Sequence, residues 1–83
     1  MPTAKGPTPR QIEFGARVRA ARERLGLSQE ALAHNAGIER SYVAQIEAGR
    51  RNPALENICK LAKALGVDAA DLVRGLQARA GRS

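Results

Sequence analysis

The sequence predicts an all-α domain built from five helices. Apolar residues recur at intervals of three and four along most of the chain, which is the spacing that places side chains on one face of a helix. Residues that favour helix starts precede these segments and glycines follow most of them, so each segment has a defined beginning and end. No stretch alternates apolar and polar residues for long enough to predict a strand, and no internal repeat is present. We therefore expect one small helical core.

The first helix is predicted over about residues 9–25. Thr8 is a suitable N-cap, Pro9 suits the first helical position, and Gln11 lies three residues beyond the cap, as in a capping box. Gly26 is expected to end the helix. The apolar stripe of this helix consists of Phe14, Val18, Ala21 and Leu25.

Residues 29–36 and 40–48 are predicted to form two short helices joined by a sharp turn. Ser28 caps the first of them, and Gly37 occupies a turn position that favours positive φ. Ala33 is expected where the two helices cross, because a larger side chain would hold their backbones apart. Their shared apolar side consists of Leu32, Ala33, Ala36, Ile38, Val43 and Ile46. Two short helices joined in this way form a helix-turn-helix.

The remaining chain predicts two further helices. After the basic loop RRNP at 50–53, apolar residues between Leu55 and Leu65 mark helix 4, which ends at Gly66. Asp68 is expected to cap the last helix, whose apolar residues are Leu72, Val73 and Leu76. The predicted organisation is a flexible N-terminal arm at 1–8, a domain at 9–77 and a flexible tail at 78–83.

The composition indicates a polyanionic partner. Lys and Arg number 14 against 8 Asp and Glu, which gives a net charge of +6. Phe14 and Tyr42 are the only aromatic residues, too few for the stacking surfaces that bind single-stranded nucleic acid, so duplex DNA fits better. The sequence has neither a membrane span nor the apolar run of a signal peptide, and we therefore expect a cytoplasmic protein.

The outward side of the predicted helix-turn-helix is polar. Arg40 can bond guanine O6 and N7 in a bidentate manner, and Gln45 can bond adenine N6 and N7 in the same way. The residues expected to point outward are Gln29, Glu39, Arg40, Ser41, Ala44, Gln45 and Ala48.

The segment GLSQEALAHNAGIERSYVAQIEAGRRNP, followed by KLAKALGV, resembles the helix-turn-helix family of phage Cro and cI repressors and bacterial Xre-type regulators. The resemblance covers about residues 12–74. It implies a compact five-helix, lambda-repressor-like DNA-binding domain and hence a sequence-specific transcriptional regulator. The residues that match the family pattern are Gln29, Ala33, Gly37, Ile46, Glu47, Gly49, Asn52, Pro53 and Leu65. The sequence ERSY at 39–42 is also similar to controller proteins of restriction-modification systems, which are small dimeric regulators that bind operators upstream of their own genes.

The resemblance implies two sets of DNA contacts and one structural pair. Base edges are assigned to Arg40, Ser41 and Gln45. Phosphates are assigned to Gln29, Tyr42, Arg50, Arg51 and Asn52. The structural pair is a partly buried salt bridge between Arg22 and Glu47. From the residues alone, other roles stay open: solvated polar surfaces for Gln29, Arg40, Gln45 and the arginine loop, a bond to its own backbone for Ser41, packing for Tyr42 and turn formation for Asn52. Arg17 and Arg19 of helix 1 are further candidates for the same face.

Binding to a near-palindromic operator requires a homodimer, with two recognition helices about 34 Å apart in successive major grooves. The last helix has more apolar side chains than one small core is expected to cover. We therefore place the dimer interface at Leu72, Val73 and Leu76.

Other classes of function fit less well. His34 is the only histidine, expected to face solvent, and Cys59 is the only cysteine, expected in the core, so we predict no enzyme, no metal and no cofactor. The alternative is an antitoxin or adaptor of the same fold that acts mainly through a protein partner. Antitoxins usually need a further segment to mask the toxin, and only the arm and tail remain for that role.

Overall fold

The computed structural model describes residues 6–80, and it has the predicted five helices. These are α1 (Pro9–Arg24), α2 (Gln29–Ala36), α3 (Arg40–Glu47), α4 (Leu55–Leu65) and α5 (Ala69–Val73), followed by a 3-10 helix at Leu76–Ala80. Residues 6–80 contain no strand. Most of the predicted arm and the end of the predicted tail, residues 1–5 and 81–83, lie outside the described residues. No helix in the described part is both long and apolar enough to cross a membrane.

Two of the helix starts have side-chain caps as predicted. The Thr8 hydroxyl accepts from the Gln11 backbone at 3.2 Å, and the Gln11 side chain accepts from the Thr8 backbone at 2.8 Å, which completes the capping box. The Ser28 hydroxyl accepts from the Ala31 backbone at 3.0 Å. Asp68 is the N-cap residue of α5 as predicted, although its side chain makes no cap hydrogen bond.

The C-terminal helix is shorter than predicted. α5 ends at Val73, the chain turns at Gly75 with φ of +74°, and the 3-10 helix then continues to Ala80. Arg10 of α1 binds this 3-10 segment: its side chain donates to the backbone oxygens of Leu76 and Gln77, each at 3.0 Å. Residues 78–80 therefore continue the 3-10 helix, and the predicted boundary at residue 77 does not coincide with the end of regular structure.

The core is formed by one face of each helix. Its buried apolar residues are Phe14, Val18, Ala21, Leu32, Ala33, Ala36, Val43, Ile46, Leu61, Ala62, Leu65 and Leu72.

Three residues expected to be apolar core are on the surface instead. Leu25 is 54% exposed because it follows the last residue of α1 as its C-cap. Leu55, at the start of α4, is 75% exposed. Cys59 is exposed as well, because it lies one turn beyond Leu55, on the side of α4 away from the buried Leu61 and Leu65.

α1 and α3 approach each other closely at a glycine that the sequence analysis did not single out. A Cβ built on Gly15 would lie 2.2 Å from the backbone oxygen of Ile46 and 3.0 Å from that of Glu47. Only a residue without a side chain fits between these two helices. Gly15 therefore allows the backbones of α1 and α3 to pack at this short distance.

Candidate nucleic-acid interface

The two helices of the helix-turn-helix are joined by a tight, hydrogen-bonded turn. Gly37 has φ of +72°, in the left-handed region, and ends α2 as predicted. The Ile38 N–H donates to the Ala33 carbonyl at 3.0 Å, and the Gly37 N–H donates to the His34 carbonyl at 3.2 Å. Ala33 is 3% exposed and belongs to the core. These contacts fix the angle between α2 and α3, and so determine which α3 side chains face outward.

The outward face of α3 consists of exposed polar side chains. Val43 and Ile46 bury the other face of the helix, at 0% and 1% exposure. Arg40, Ser41 and Gln45 are exposed, and their side chains make no hydrogen bond to any other residue in the range 6–80. Three side chains with free donors and acceptors therefore project from a helix whose position is fixed from its inner side.

α3, the loop after it and α4 form a shallow groove beside this face. Its lining residues are Ile38, Glu39, Ser41, Tyr42, Gln45, Arg51 and Asn57. The guanidinium carbon of Arg51 lies 4.8 Å from the centroid of the Tyr42 ring, within the range of a cation–π contact. The side-chain amide of Asn57 donates to the Tyr42 hydroxyl at 3.1 Å. The structure thus brings Ser41, Gln45, Tyr42 and Arg51 together.

The basic loop begins at the end of α3. The Arg50 N–H donates to the Gln45 carbonyl at 2.8 Å and the Gly49 N–H donates to the Ile46 carbonyl at 3.0 Å, which is the Schellman arrangement. Gly49 has φ of +78° and is buried against Ile12, where an added Cβ would lie 3.1 Å from Ile12 Cα. This turn holds the backbone of Arg50 in place while its side chain remains exposed.

Asn52 follows Arg51 in the chain but does not line the groove beside α3. It is exposed and lines a second groove, together with Pro53, Ile58 and the start of α1. Asn52 is therefore not brought into the groove that contains Tyr42 and Arg51.

Arg22 and Glu47 form the ion pair that the family resemblance implied. Arg22 Nε donates to Glu47 Oε2 at 2.6 Å and Arg22 Nη2 donates to Oε1 at 3.0 Å, and the side chains are only 12% and 4% exposed. Arg22 Nη1 also donates to the Leu27 carbonyl at 2.7 Å. The hydrogen bonds to Glu47 raise the pKa of Arg22 above its ordinary value, against the opposing effect of burial.

Gln29 belongs to the same network. Its Nε2 donates to Glu47 Oε1 at 3.0 Å, so one of the two amide hydrogens is engaged inside the protein. The carboxylate of Glu47 therefore connects α1, α2 and α3 and fixes the orientation of the Gln29 amide.

The arginines fall into two groups. The first group forms ion pairs with acidic residues: Arg17 with Glu13, Arg19 with Glu23, Arg74 with Asp71, and Arg79 with Glu13. Arg17 also donates to the Leu72 carbonyl. Arg24, at the end of α1, is exposed and has no carboxylate partner in the part of the chain that the structure describes, and the same holds for Arg40, Arg50 and Arg51. Arg40, Arg50 and Arg51 give α3 and the loop after it three positive charges, against the one negative charge of the exposed Glu39 beside them.

The three residues expected at a dimer interface differ in burial. Leu72 is 2% exposed and packs in the core, so it has no surface to offer a second protomer. Val73 is 36% exposed, and Leu76 is half-buried against the core. Val73 and Leu76 line the groove that also contains Asn52, and the rest of its lining mixes apolar residues with polar ones: Pro9, Phe14, Pro53, Ile58, Thr8, Arg10 and Gln11.

The residues that bear on catalysis or metal binding are dispersed. His34 and Cys59 are both exposed and lie on different helices, α2 and α4. Within residues 6–80 no group of three or more His, Cys, Asp and Glu side chains could hold a metal ion.

The turn at Gly37, the buried Ala33 and the exposed polar face of α3 together define a helix-turn-helix protein. A family model described as "Helix-turn-helix" matches residues 18–72, and the chain belongs to this family. The resemblance inferred from the sequence is therefore confirmed.

Individual relatives make the similarity more specific. Control protein C.BamHI of Bacillus amyloliquefaciens is 46% identical over 64 residues, which cover 76% of this chain and 79% of that protein. The restriction-modification controller protein C.AhdI from Aeromonas hydrophila has a crystal structure similar to this one, with a TM-score of 0.73 and 48% identity over 75% of this chain and 94% of that one. The P22 c2 repressor, solved in complex with a synthetic operator, gives a TM-score of 0.70 at 34% identity over 75% of this chain and 94% of that one. These neighbours confirm the predicted fold class.

Proposed function

We propose that this protein is a sequence-specific, double-stranded DNA-binding transcriptional regulator that acts in the cytoplasm as a homodimer on a near-palindromic operator. The observation that carries the proposal is the outward face of α3, where the exposed Arg40, Ser41 and Gln45 side chains make no hydrogen bond to another residue of the described range 6–80. Guanidinium and carboxamide groups match guanine and adenine edges in the major groove, which is wide enough to admit a helix. The operator-bound P22 c2 repressor supports this assignment, since its fold is similar.

Phosphate contacts position this face on the duplex. Arg50 and Arg51 directly follow α3 and have no acidic partner among the described residues. We assign phosphate contacts to both arginines, to the Tyr42 hydroxyl, to Asn52 and to the remaining amide hydrogen of Gln29. Such contacts carry little sequence information, but they fix the register of the protein on DNA.

The homodimer uses the apolar surface at Val73 and Leu76. Leu72 is buried in the core and does not contribute to this surface. Two copies related by a two-fold axis present two α3 helices to successive major grooves about 34 Å apart. A single α3 of eight residues reads only a few base pairs, so the second copy supplies specificity that one protomer lacks.

The similarity to two controller proteins supports a narrower assignment. We infer that the chain is a restriction-modification controller that binds upstream of its own gene and regulates its own transcription. Control protein C.BamHI and the controller C.AhdI are the relatives on which this inference depends.

Selection of bound duplexes from a random pool tests the function directly. A favoured near-palindromic site, bound by two protomers, is the expected result. Arg40→Ala should then lower affinity for that site by about 1–3 kcal/mol and relax the preference at one base pair in each half-site.

The matched control is Arg79→Ala, which removes one positive charge from the 3-10 helix, an element that packs on α1. It should change affinity far less than Arg40→Ala does. Equal losses on selected and random DNA in Arg40→Ala would contradict base reading by Arg40. If the pool yields no preferred sequence, the proposed function is wrong. A protein that binds no duplex but co-purifies with a protein partner would favour the antitoxin or adaptor alternative.

A further inference from the structure

The contact between α4 and α3 at the edge of the groove involves a residue to which no role in DNA binding has been assigned. Asn57 is the third residue of α4 and is half-buried. Its side-chain amide donates to the hydroxyl of Tyr42 at 3.1 Å. Asn57 also lines the groove that contains Ser41, Gln45 and Arg51. It therefore lies next to the proposed phosphate ligands without being one of them.

The direction of this hydrogen bond determines what Tyr42 can do. A phenolic hydroxyl has one hydrogen to donate and lone pairs that accept. Because the Asn57 amide occupies a lone pair, the phenolic hydrogen stays available for an acceptor outside the protein. A phosphate oxygen is such an acceptor, and hydrogen bonds to a charged oxygen are the stronger kind.

The same hydrogen bond fixes the position of the hydroxyl and therefore the direction in which the ring projects from α3. Because α3 holds the Tyr42 side chain at its backbone and the hydrogen bond from α4 holds its hydroxyl, rotation about the Cα–Cβ bond is restricted. Arg51 lies over this ring, with its guanidinium carbon 4.8 Å from the centroid. Arg51 itself is exposed and comes from a loop, where a long side chain otherwise samples many rotamers.

We propose that Asn57 is a positioning residue for DNA binding: by holding the Tyr42 hydroxyl, it fixes the ring on which Arg51 rests and directs the phenolic hydrogen toward a phosphate. This inference rests on the proposed function and extends it by one residue. Asn57 acts through Tyr42 and Arg51 and touches no DNA. Its effect is therefore on affinity for any duplex and leaves base preference unchanged.

A double-mutant cycle between Asn57 and Tyr42 tests the coupling. In the wild-type background, Asn57→Ala should weaken binding to both the selected and a random duplex by about two- to tenfold, the range expected for one hydrogen bond. In the Tyr42→Phe background the same substitution should have little effect, because the hydroxyl is already absent. The salt dependence of log K should also become shallower in Asn57→Ala, by up to about 0.9 if the Arg51 contact is lost completely.

The control variant is Cys59→Ser, an exposed position of the same helix that does not line the groove. It should leave affinity and salt dependence unchanged. Urea unfolding of every variant separates loss of contact from loss of fold. If Asn57→Ala does not fold, Asn57→Ser replaces it, since a serine side chain is too short to reach the hydroxyl.

Tyr42 also gives a readout in the free protein. The chain has one tyrosine and no tryptophan, so its intrinsic fluorescence comes from Tyr42. Asn57→Ala should lower the fluorescence anisotropy of a folded protein, because the ring is released, whereas Cys59→Ser should not.

The inference is overturned if Asn57→Ala binds DNA as tightly as the wild-type protein, if its loss is the same with and without the Tyr42 hydroxyl, or if the anisotropy does not change. Each of these results leaves the proposed function intact, because the wild-type protein still binds its duplex in the same assay. A wild-type protein that binds no duplex removes both proposals.

Discussion

Removal of the Arg22 side chain should destabilise the whole domain. Arg22→Ala deletes two hydrogen bonds to Glu47 and one to the Leu27 carbonyl. Glu47, whose side chain is 4% exposed in the intact protein, then keeps the Gln29 amide as its one side-chain partner among the described residues. A buried carboxylate deprived of its cation costs about 3–5 kcal/mol, because the remaining charge is no longer compensated.

This cost is large compared with the total stability of the domain. At roughly 0.05–0.15 kcal/mol per residue, a chain of 83 residues has a free energy of unfolding of about 4–12 kcal/mol. Arg22→Ala is therefore expected to remove about a quarter or more of that free energy, and a domain at the lower end of the range would unfold. Loss of DNA binding in this variant reports unfolding and says nothing about contact with DNA.

Urea unfolding followed by far-ultraviolet circular dichroism measures the effect, with Arg19→Ala as the control on the same helix. Arg19 pairs with Glu23, but the two side chains are 63% and 56% exposed. An exposed pair of this spacing contributes only about 0.3–0.5 kcal/mol. A free energy of unfolding for Arg22→Ala within about 1 kcal/mol of that of Arg19→Ala would refute the argument that burial makes the Arg22–Glu47 pair costly to break.

Three further outcomes follow from the structure. Arg50→Ala should weaken binding to selected and random DNA alike and reduce the salt slope by about 0.9, and an unchanged slope in filter binding would remove Arg50 from the phosphate contacts. Gly15→Ala should lower the free energy of unfolding by about 1–3 kcal/mol or more, because its Cβ would overlap the Ile46 carbonyl. The control, Ala16→Gly at the exposed neighbouring position, should lower it by only about 0.5–1 kcal/mol. Equal losses in urea unfolding would contradict the close approach of α1 and α3. Val73→Asp should shift sedimentation toward the monomer without loss of helix content, and an unchanged dimer would place the interface elsewhere.

The helices could be predicted because their signals are local. Thr8 with Gln11, Ser28 and Gly37 each act through backbone groups within a few residues, and the structure has their predicted hydrogen bonds and positive φ. The C-terminal segment could not be predicted in the same way. Its conformation depends on Arg10, which reaches the Leu76 carbonyl across 66 residues of sequence, and periodicity contains no information about such a contact.

In the candidate site, too, the features that depend on local sequence could be predicted, and those that depend on contacts between distant helices could not. The outward position of Arg40 and Gln45 follows from helical spacing, because Val43 and Ile46 must face the core. The contribution of Asn57 depends on how α4 packs beside α3, and a lone asparagine in a helix gives no pattern to detect. Gly15 was missed for a similar reason, since a glycine inside a helix indicates a close approach only when the second helix is known.

The structure separates the residues that hold α3 from the residues that face outward on it. An eight-residue helix is marginal in isolation, so the orientation of α3 comes from tertiary contacts. Those contacts lie on its inner face and at its C-terminal end: Val43 and Ile46 are buried, Glu47 binds Arg22, and the backbone packs on Gly15. Arg40 and Gln45 take no part in them. The outer face can therefore change its hydrogen-bonding groups at little cost to folding, because the free energy that orients the helix is supplied from the opposite side.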